Sequence, residues 1–180
     1  LFDAITELPE YYPTRTETAM LIAYADEIAS KAGTGHLLVE PGSGSCTKAR
    51  ILFEGLQPCA YVPMDISRDH LRVAAQEVAV EYPWLEVHAA CTDFTRLMTL
   101  PPSSPEGRRL AFFPGSSIGN FDPDAAIGFL GMIADMVGAG GQLLIGVDLK
   151  KDKAVLEAAY VYDRGVTAAF NLFLLARINR

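Results

Sequence analysis

The chain has 180 residues, half of them apolar, and carries a formal net charge of -7. These values are typical of one globular domain with a hydrophobic core, and they exclude a disordered chain. The negative charge disfavours nucleic acid as a partner because that binding depends on clustered lysine and arginine. No run of about 18 apolar residues indicates a membrane span.

Cysteine and histidine are too widely spaced for a disulfide framework or a metal site, so we expect no metal and a reducing, cytoplasmic location. We also expect a monomer. The chain starts at Leu1 without Met and stops at Arg180 inside a predicted helix, so we expect it to be part of a longer protein. The cysteines and histidines of the chain are Cys46, Cys59, Cys91, His36, His70 and His88.

Predicted strands and helices alternate along most of the chain. This alternation is typical of a parallel sheet with helices on both faces, so the fold class is α/β and Rossmann-like. We divide the chain into an N-terminal helical segment, 1–35, and the domain itself, 36–180. In chain order, the predicted elements are a helix at 16–31, a strand at 37–39, a helix at 47–55, a strand at 61–65, a helix after Ser67, strands at 85–90 and 110–113, a helix after Asp122, a strand at 143–147, and helices at 152–160 and 166–180.

Two of these helices have predicted caps and one apolar side each. Ser67 and Asp122 are the predicted N-caps, and a first-turn proline follows Asp122. Each helix should therefore pack one side against the sheet. The predicted buried faces are Leu71, Ala74, Ala75, Val78, Ala79 and Tyr82 in the first helix, and Ala125, Ala126, Phe129, Leu130, Ile133 and Val137 in the second.

Polar or glycine-rich turns follow each predicted strand. Parallel α/β sheets bind ligands beyond the carboxyl ends of their strands, so the convergence of these turns predicts a binding site at that edge. The residues at the strand ends are Glu40, Asp65, Asp93, 115–120 and Asp148.

The first turn, at residues 40–44, contains two glycines that let a ligand approach the backbone closely. The helix that follows offers free N–H groups, and Lys48 is placed to pair with a ligand carboxylate. The alternative is an ordinary tight turn formed by Gly42 and Gly44. Thr47 occupies the position of the third glycine of the dinucleotide fingerprint, which disfavours a nicotinamide cofactor.

The second and third turns carry carboxylates with two interpretations each. Asp65 has the spacing of a residue that accepts hydrogen bonds from ribose hydroxyls, or it caps the next helix. Asp93 is placed to accept from an adenine amino group while Phe94 covers the ring; alternatively the two are a cap and a core aromatic. These interpretations stay open on the residues alone.

Three further segments carry candidate side chains for holding a small ligand. The amide of Asn120, in the unusual loop 113–121, suits a carboxylate or an amine. Tyr11 and Tyr12 precede Pro13, which predicts a rigid extended segment acting as a lid or as an aromatic clasp. Tyr160 either lines a pocket or simply packs.

Several segments are far more specific than a glycine loop, among them YYPTR, GSSIGN and GVTAAFN. On these, the chain resembles the histidine-specific Nα-methyltransferases of ergothioneine biosynthesis. The resemblance runs through nearly the whole chain, over residues 1–17, 40–50, 61–67, 112–122 and 146–180.

The resemblance implies an S-adenosylmethionine-dependent enzyme that transfers three methyl groups in turn to the α-amine of histidine, giving hercynine. No residue is assigned as a catalytic base. The residues implied to hold the methyl donor are Gly42, Gly44, Lys48, Asp65, Asp93 and Phe94, and those implied to hold the amino acid are Tyr11, Asn120 and Tyr160.

Some features depart from the family. Pro41 and Cys46 replace residues expected in the donor loop, and Pro41 removes one N–H donor there. The resemblance implies that a tyrosine upstream of Leu1 and an acidic segment downstream of Arg180 recognise the imidazole, so specificity for histidine cannot be read from residues 1–180. The alternatives are N-methylation of another amino acid such as a prenylated tryptophan, a nicotinamide-dependent oxidoreductase, and a non-catalytic binding module.

Overall fold

The structure is a computed structural model that describes residue 6 and residues 11–160, apart from the side chains of residues 158 and 160. Contacts divide the chain into two compact units. The sheet unit is Met20–Val147, and the terminal unit combines Leu1–Ala19 with Asp148–Arg180. None of the helices among the described residues is long and apolar enough to cross a membrane.

The predicted alternation of strands and helices is confirmed, and with it the α/β class. In chain order the elements are α1 (Tyr12–Ala32), β1 (Leu37–Pro41), α2 (Thr47–Leu56), β2 (Ala60–Asp65), α3 (Arg68–Glu81), β3 (Glu86–Val87), β4 (Ala90–Cys91), β5 (Arg109–Phe113), a 3-10 turn (Ser117–Asn120), α4 (Pro123–Val137), β6 (Gln142–Ile145) and α5 (Lys153–Tyr160). The predicted helix at 166–180 lies outside the described residues.

The strands form one parallel sheet in the order β3-β2-β1-β5-β6, and β4 continues beside β2 beyond the end of β3. Every residue of β1 is buried, as expected for a central strand covered on both faces. Leu38 packs with Phe53 of α2 on one face, whereas Val39 packs with Phe129 of α4 on the other. Because all strands are parallel, their carboxyl ends share one edge of the sheet.

α1 begins earlier than predicted, at Tyr12 instead of residue 16. The sequence predicted a rigid extended segment at Tyr11, Tyr12 and Pro13. This prediction was wrong for Tyr12 and Pro13, which are helical. Proline is tolerated in the first turn of a helix because the N–H groups there have no intrahelical acceptor. Of these three residues, only Tyr11 precedes the helix.

The strand predicted at residues 85–90 is broken into β3 and β4. β3 pairs with Tyr61 and β4 pairs with Met64, so Val62 and Pro63 of β2 stand opposite the break. Pro63 has no N–H to donate, which removes a ladder hydrogen bond at that point. The interruption therefore originates in the neighbouring strand.

Helix details were predicted in part. Asp122 caps α4 as expected, accepting from Ala125 N at 2.8 Å, but the Ser67 side chain makes no capping hydrogen bond to α3. Asp65 stabilises the turn before α3 instead, since its Oδ1 accepts from Ser67 N at 2.8 Å. The residues predicted to be buried but found exposed are Ala79, Ala125 and Leu130.

Candidate functional site

The loop after β1 is anchored to the end of β2. Gly42 N and Ser43 N both donate to Met64 O, at 2.8 and 3.0 Å. Gly42 and Gly44 have φ values of +72° and +52°, in the left-handed region that glycine adopts without steric cost. The two glycines are thus required by the backbone path, which brings exposed main chain to the sheet edge.

Asp65 joins this loop to the next one. Its Oδ2 accepts from Gly44 N at 3.1 Å, while its Oδ1 accepts from Ser67 N. Each carboxylate oxygen has further lone pairs, and the residue is half-buried, so both oxygens still have acceptor capacity. The structural role of Asp65 in these loops is therefore compatible with the ribose-binding role expected from the sequence.

The third turn lies against the first two. Thr92 N donates to Asp65 O at 3.1 Å, so the segment after β4 is tied to the end of β2. A Cβ placed on Gly42 would lie 3.1 Å from Cζ of Phe94, which means that the Phe94 ring packs directly on the Gly42 backbone. The first three turns therefore form one continuous surface.

Asp93 has a structural role of its own. Its Oδ1 accepts from Thr95 N at 3.1 Å and from Thr95 Oγ1 at 2.6 Å. Its Oδ2 has no hydrogen-bond partner among residues 11–160. One oxygen of this carboxylate thus stabilises the turn and the other remains an acceptor.

The loop after β5 reaches the same edge through Lys48. Lys48 Nζ lies 3.5 Å from the position that a Cβ on Gly115 would occupy. Gly115 and Ser116 both have positive φ, and the 3-10 turn ends at Asn120, whose exposed side chain makes no hydrogen bond within the described part of the chain. The predicted residues of the sheet unit thus occupy four neighbouring loops.

A buried polar contact beneath the first loop was not identified from the sequence as a support of the site. The Tyr61 hydroxyl donates to Oε2 of Glu40, whose side chain is only 2% exposed. Burial raises the Tyr61 pKa well above its ordinary value, and burial also raises the Cys46 pKa to about 11. Both groups therefore stay protonated at neutral pH. An acid in a fully buried strand was the signal that could have revealed this contact.

The other two predicted residues belong to the terminal unit. Tyr11 is half-buried directly before α1, and Arg15 Nη1 donates to its carbonyl oxygen at 3.3 Å. Tyr160 is the last described residue of α5, and its side chain lies outside the description. Within the described residues, no group of three or more His, Cys, Asp or Glu side chains is arranged to hold a metal.

The sheet and its edge define the class of fold. A solved S-adenosylmethionine-dependent methyltransferase, SibL, superposes with a TM-score of 0.58 over 82% of this chain and 41% of that chain, at 20% identity. The fold is therefore the Rossmann-like fold of S-adenosylmethionine-dependent methyltransferases.

The sequence identifies the family within that fold. The family model described as "Histidine-specific methyltransferase, SAM-dependent" matches residues 1–180, so the chain belongs to this family. It is 44% identical over 184 residues to the histidine N-alpha-methyltransferase of Mycolicibacterium smegmatis. It is 34% identical over 185 residues to ergothioneine biosynthesis protein 1 of Neurospora crassa. The chain spans 56% of the length of the first relative and 21% of the second.

Proposed function

We propose that the protein transfers three methyl groups in turn from S-adenosylmethionine to the α-amine of L-histidine. The product would be the trimethylated betaine hercynine. The observation that carries this proposal is the 44% identity to a histidine N-alpha-methyltransferase across 100% of this chain. Identity of this extent, over both compact units, favours a shared substrate as well as a shared fold.

The donor would bind at the edge of the sheet unit. Gly42 and Gly44 keep the loop backbone accessible, and Asp65 has acceptor capacity for ribose hydroxyls. Asp93 Oδ2 suits the adenine amino group, with Phe94 beside it. Lys48 suits the carboxylate of the donor's amino-acid end. The contacts among the first three turns support this assignment, because they bring the groups suited to the different parts of the donor onto one surface.

The amino acid would be held by uncharged groups. Tyr11, Asn120 and Tyr160 offer two phenols and one amide, each hydrogen bond contributing about 0.5–1.5 kcal/mol. The exposed Asn120 amide supports its role, since it has no competing hydrogen bond within the described residues.

S-adenosylmethionine would supply a methyl group on a positively charged sulfur, and transfer of that methyl group to a neutral amine would release S-adenosylhomocysteine. The protein's contribution is then to align the amine with that methyl group and to limit the motion of both. No histidine lies in the described loops that follow β1, β2, β4 and β5, so we assign no catalytic base. The proton of the amine would pass to solvent.

The test is methylation by the full-length protein. Purified protein is incubated with S-adenosylmethionine and, separately, histidine, tryptophan, a prenylated tryptophan and other amino acids, and products are identified by mass spectrometry. We expect mono-, di- and trimethylated histidine to appear in sequence. Preferential methylation of another amino acid, or binding of NAD instead of S-adenosylhomocysteine in calorimetry, would contradict the proposal.

We also propose that the protein acts as a monomer in the cytoplasm. The three cysteines are free, and the one in the donor loop, Cys46, is buried. Size-exclusion chromatography with light scattering of the full-length protein tests the oligomeric state, and a stable dimer would contradict it.

A further inference from the structure

A cluster of three side chains in the terminal unit includes the residue that follows Tyr11, a proposed substrate-holding residue, in the sequence. Tyr12, the first residue of α1, donates its hydroxyl hydrogen to Asp148 Oδ2 at 2.5 Å. Lys151 donates to Asp148 Oδ1, and its Nζ lies 4.8 Å from the centroid of the Tyr12 ring. The cluster thus joins two segments that are 136 positions apart in the sequence.

The contacts within this cluster support one another. The Asp148 and Lys151 side chains are 27% and 32% exposed, so water only partly screens their ion pair. A hydrogen bond to an ionised carboxylate is stronger than one between neutral groups, and the cation over the ring adds a second attraction. Burial, followed by the bond to Asp148, raises the Tyr12 pKa, so its phenol remains a donor at neutral pH.

The two adjacent tyrosines therefore have different roles. The Tyr12 hydroxyl hydrogen is already donated to Asp148, so it is not available to a substrate carboxylate. Tyr11 is the residue directly before the anchored one, and Arg15 holds its carbonyl oxygen. The fixed Tyr12 side chain restrains the first turn of α1, and with it the backbone to which Tyr11 is joined.

We propose that Tyr12, Asp148 and Lys151 are positioning residues that hold the Tyr11 phenol in place for the amino-acid substrate. This inference rests on the proposed function, because it assigns the anchor to the substrate side of that site. The three residues do not touch the substrate, and they act through the backbone at Tyr11.

The experiment compares Tyr12→Phe with Tyr11→Phe in the full-length protein. Tyr12→Phe keeps the ring under Lys151 and removes only the hydroxyl. For Tyr12→Phe we expect the KM for histidine to rise about tenfold, because the Tyr11 phenol would no longer be held in place, while the Kd for S-adenosylhomocysteine stays within about twofold. The matched control is Tyr24→Phe, since Tyr24 lies 54% exposed on the same helix and should leave both values unchanged.

A double-mutant cycle separates positioning from general damage. Tyr12→Phe combined with Asp148→Ala should raise the KM for histidine no more than Asp148→Ala alone, because both changes remove the same bond. Lys151→Met should give a smaller rise in the KM for histidine. Lys151→Arg keeps the positive charge and should leave this KM at the wild-type value. Unfolding temperatures of all variants identify any that fail to fold.

The outcomes are distinguishable. A wild-type protein that does not methylate histidine overturns the proposed function and this inference together. An active wild type whose KM for histidine is unaffected by Tyr12→Phe, or whose donor and substrate constants change equally, overturns only the inference.

Discussion

The donor side and the acceptor side of the proposed site are built differently. The residues proposed for the donor are backbone turns and short acidic side chains of the sheet unit, and these contact one another directly. The residues proposed for the acceptor, Tyr11, Asn120 and Tyr160, are far apart in sequence, and the structure shows no contact among them that is comparable to those of the donor loops within the described residues. All members of a fold class that use the same donor can bind it with the loops at the carboxyl edge of the sheet. Selection among acceptor substrates, in contrast, needs residues that differ from one family to the next.

Asp65→Ala is the change expected to affect this comparison most. It removes acceptors from Gly44 N and Ser67 N together, and bonds to a carboxylate contribute about 1.5–3 kcal/mol. The affinity for S-adenosylhomocysteine, measured by calorimetry, should fall at least about tenfold. The exposed Asp69 of α3 is the control, and Asp69→Ala should bind as the wild type does. Equal affinity in the two variants would refute a donor site at Asp65.

Gly42→Ala tests the glycine backbone itself. The positive φ costs alanine about 1–2 kcal/mol, and the new Cβ would lie 3.1 Å from Phe94. We expect weaker binding of S-adenosylhomocysteine together with lower stability. Gly35→Ala is a matched control, because Gly35 has φ +75° with nothing within 4 Å of an added Cβ. This control should lose stability in urea unfolding but keep donor affinity; a loss of affinity in both would show that strain alone is responsible.

Asn120→Ala addresses the acceptor side. Loss of one uncharged hydrogen bond should weaken histidine binding by about 0.5–1.5 kcal/mol and leave donor binding nearly unchanged. Calorimetry with each ligand separately measures the difference. An equal loss for the two ligands would remove Asn120 from the acceptor side.

The smallest effect is expected at the opposite edge of the sheet. His36, just before β1, is 2% exposed, and neither ring nitrogen has a hydrogen-bond partner in the described residues. Burial, aided by Arg108, lowers its pKa from 6.5. The unfolded chain therefore binds the proton more readily, so the stabilisation from a neutral His36 is present above pH 6.5 and is lost as the pH falls through the lower folded-state pKa.

Urea unfolding on both sides of that pH measures the effect. His36→Leu should lose less stability on acidification than the wild type, and donor affinity at neutral pH should not change. His70→Gln, at an exposed position of α3, is the control. An identical acid sensitivity in the wild type and in His36→Leu would exclude His36 as the cause.

The sequence predicts those parts of the molecule that local patterns determine. The alternation of apolar strands with amphipathic helices predicted the α/β class, and glycines or carboxylates after the strands indicated the edge at which the loops would meet. The break between β3 and β4 was missed because it depends on Pro63 in the partner strand. The bond between Tyr12 and Asp148 was missed because it joins residues 136 positions apart. Contacts of that kind depend on the assembled fold, which a local pattern does not contain.

The Asp65 carboxylate has a consequence for the thermodynamics of binding. Its two oxygens are already oriented by Gly44 and Ser67, so the ordering of these loops is completed when the protein folds. A nucleoside arriving at this edge would add bonds to the remaining lone pairs instead of exchanging existing ones. Little conformational entropy would then be lost on association, which is how a preorganised receptor gains affinity without extra contact area.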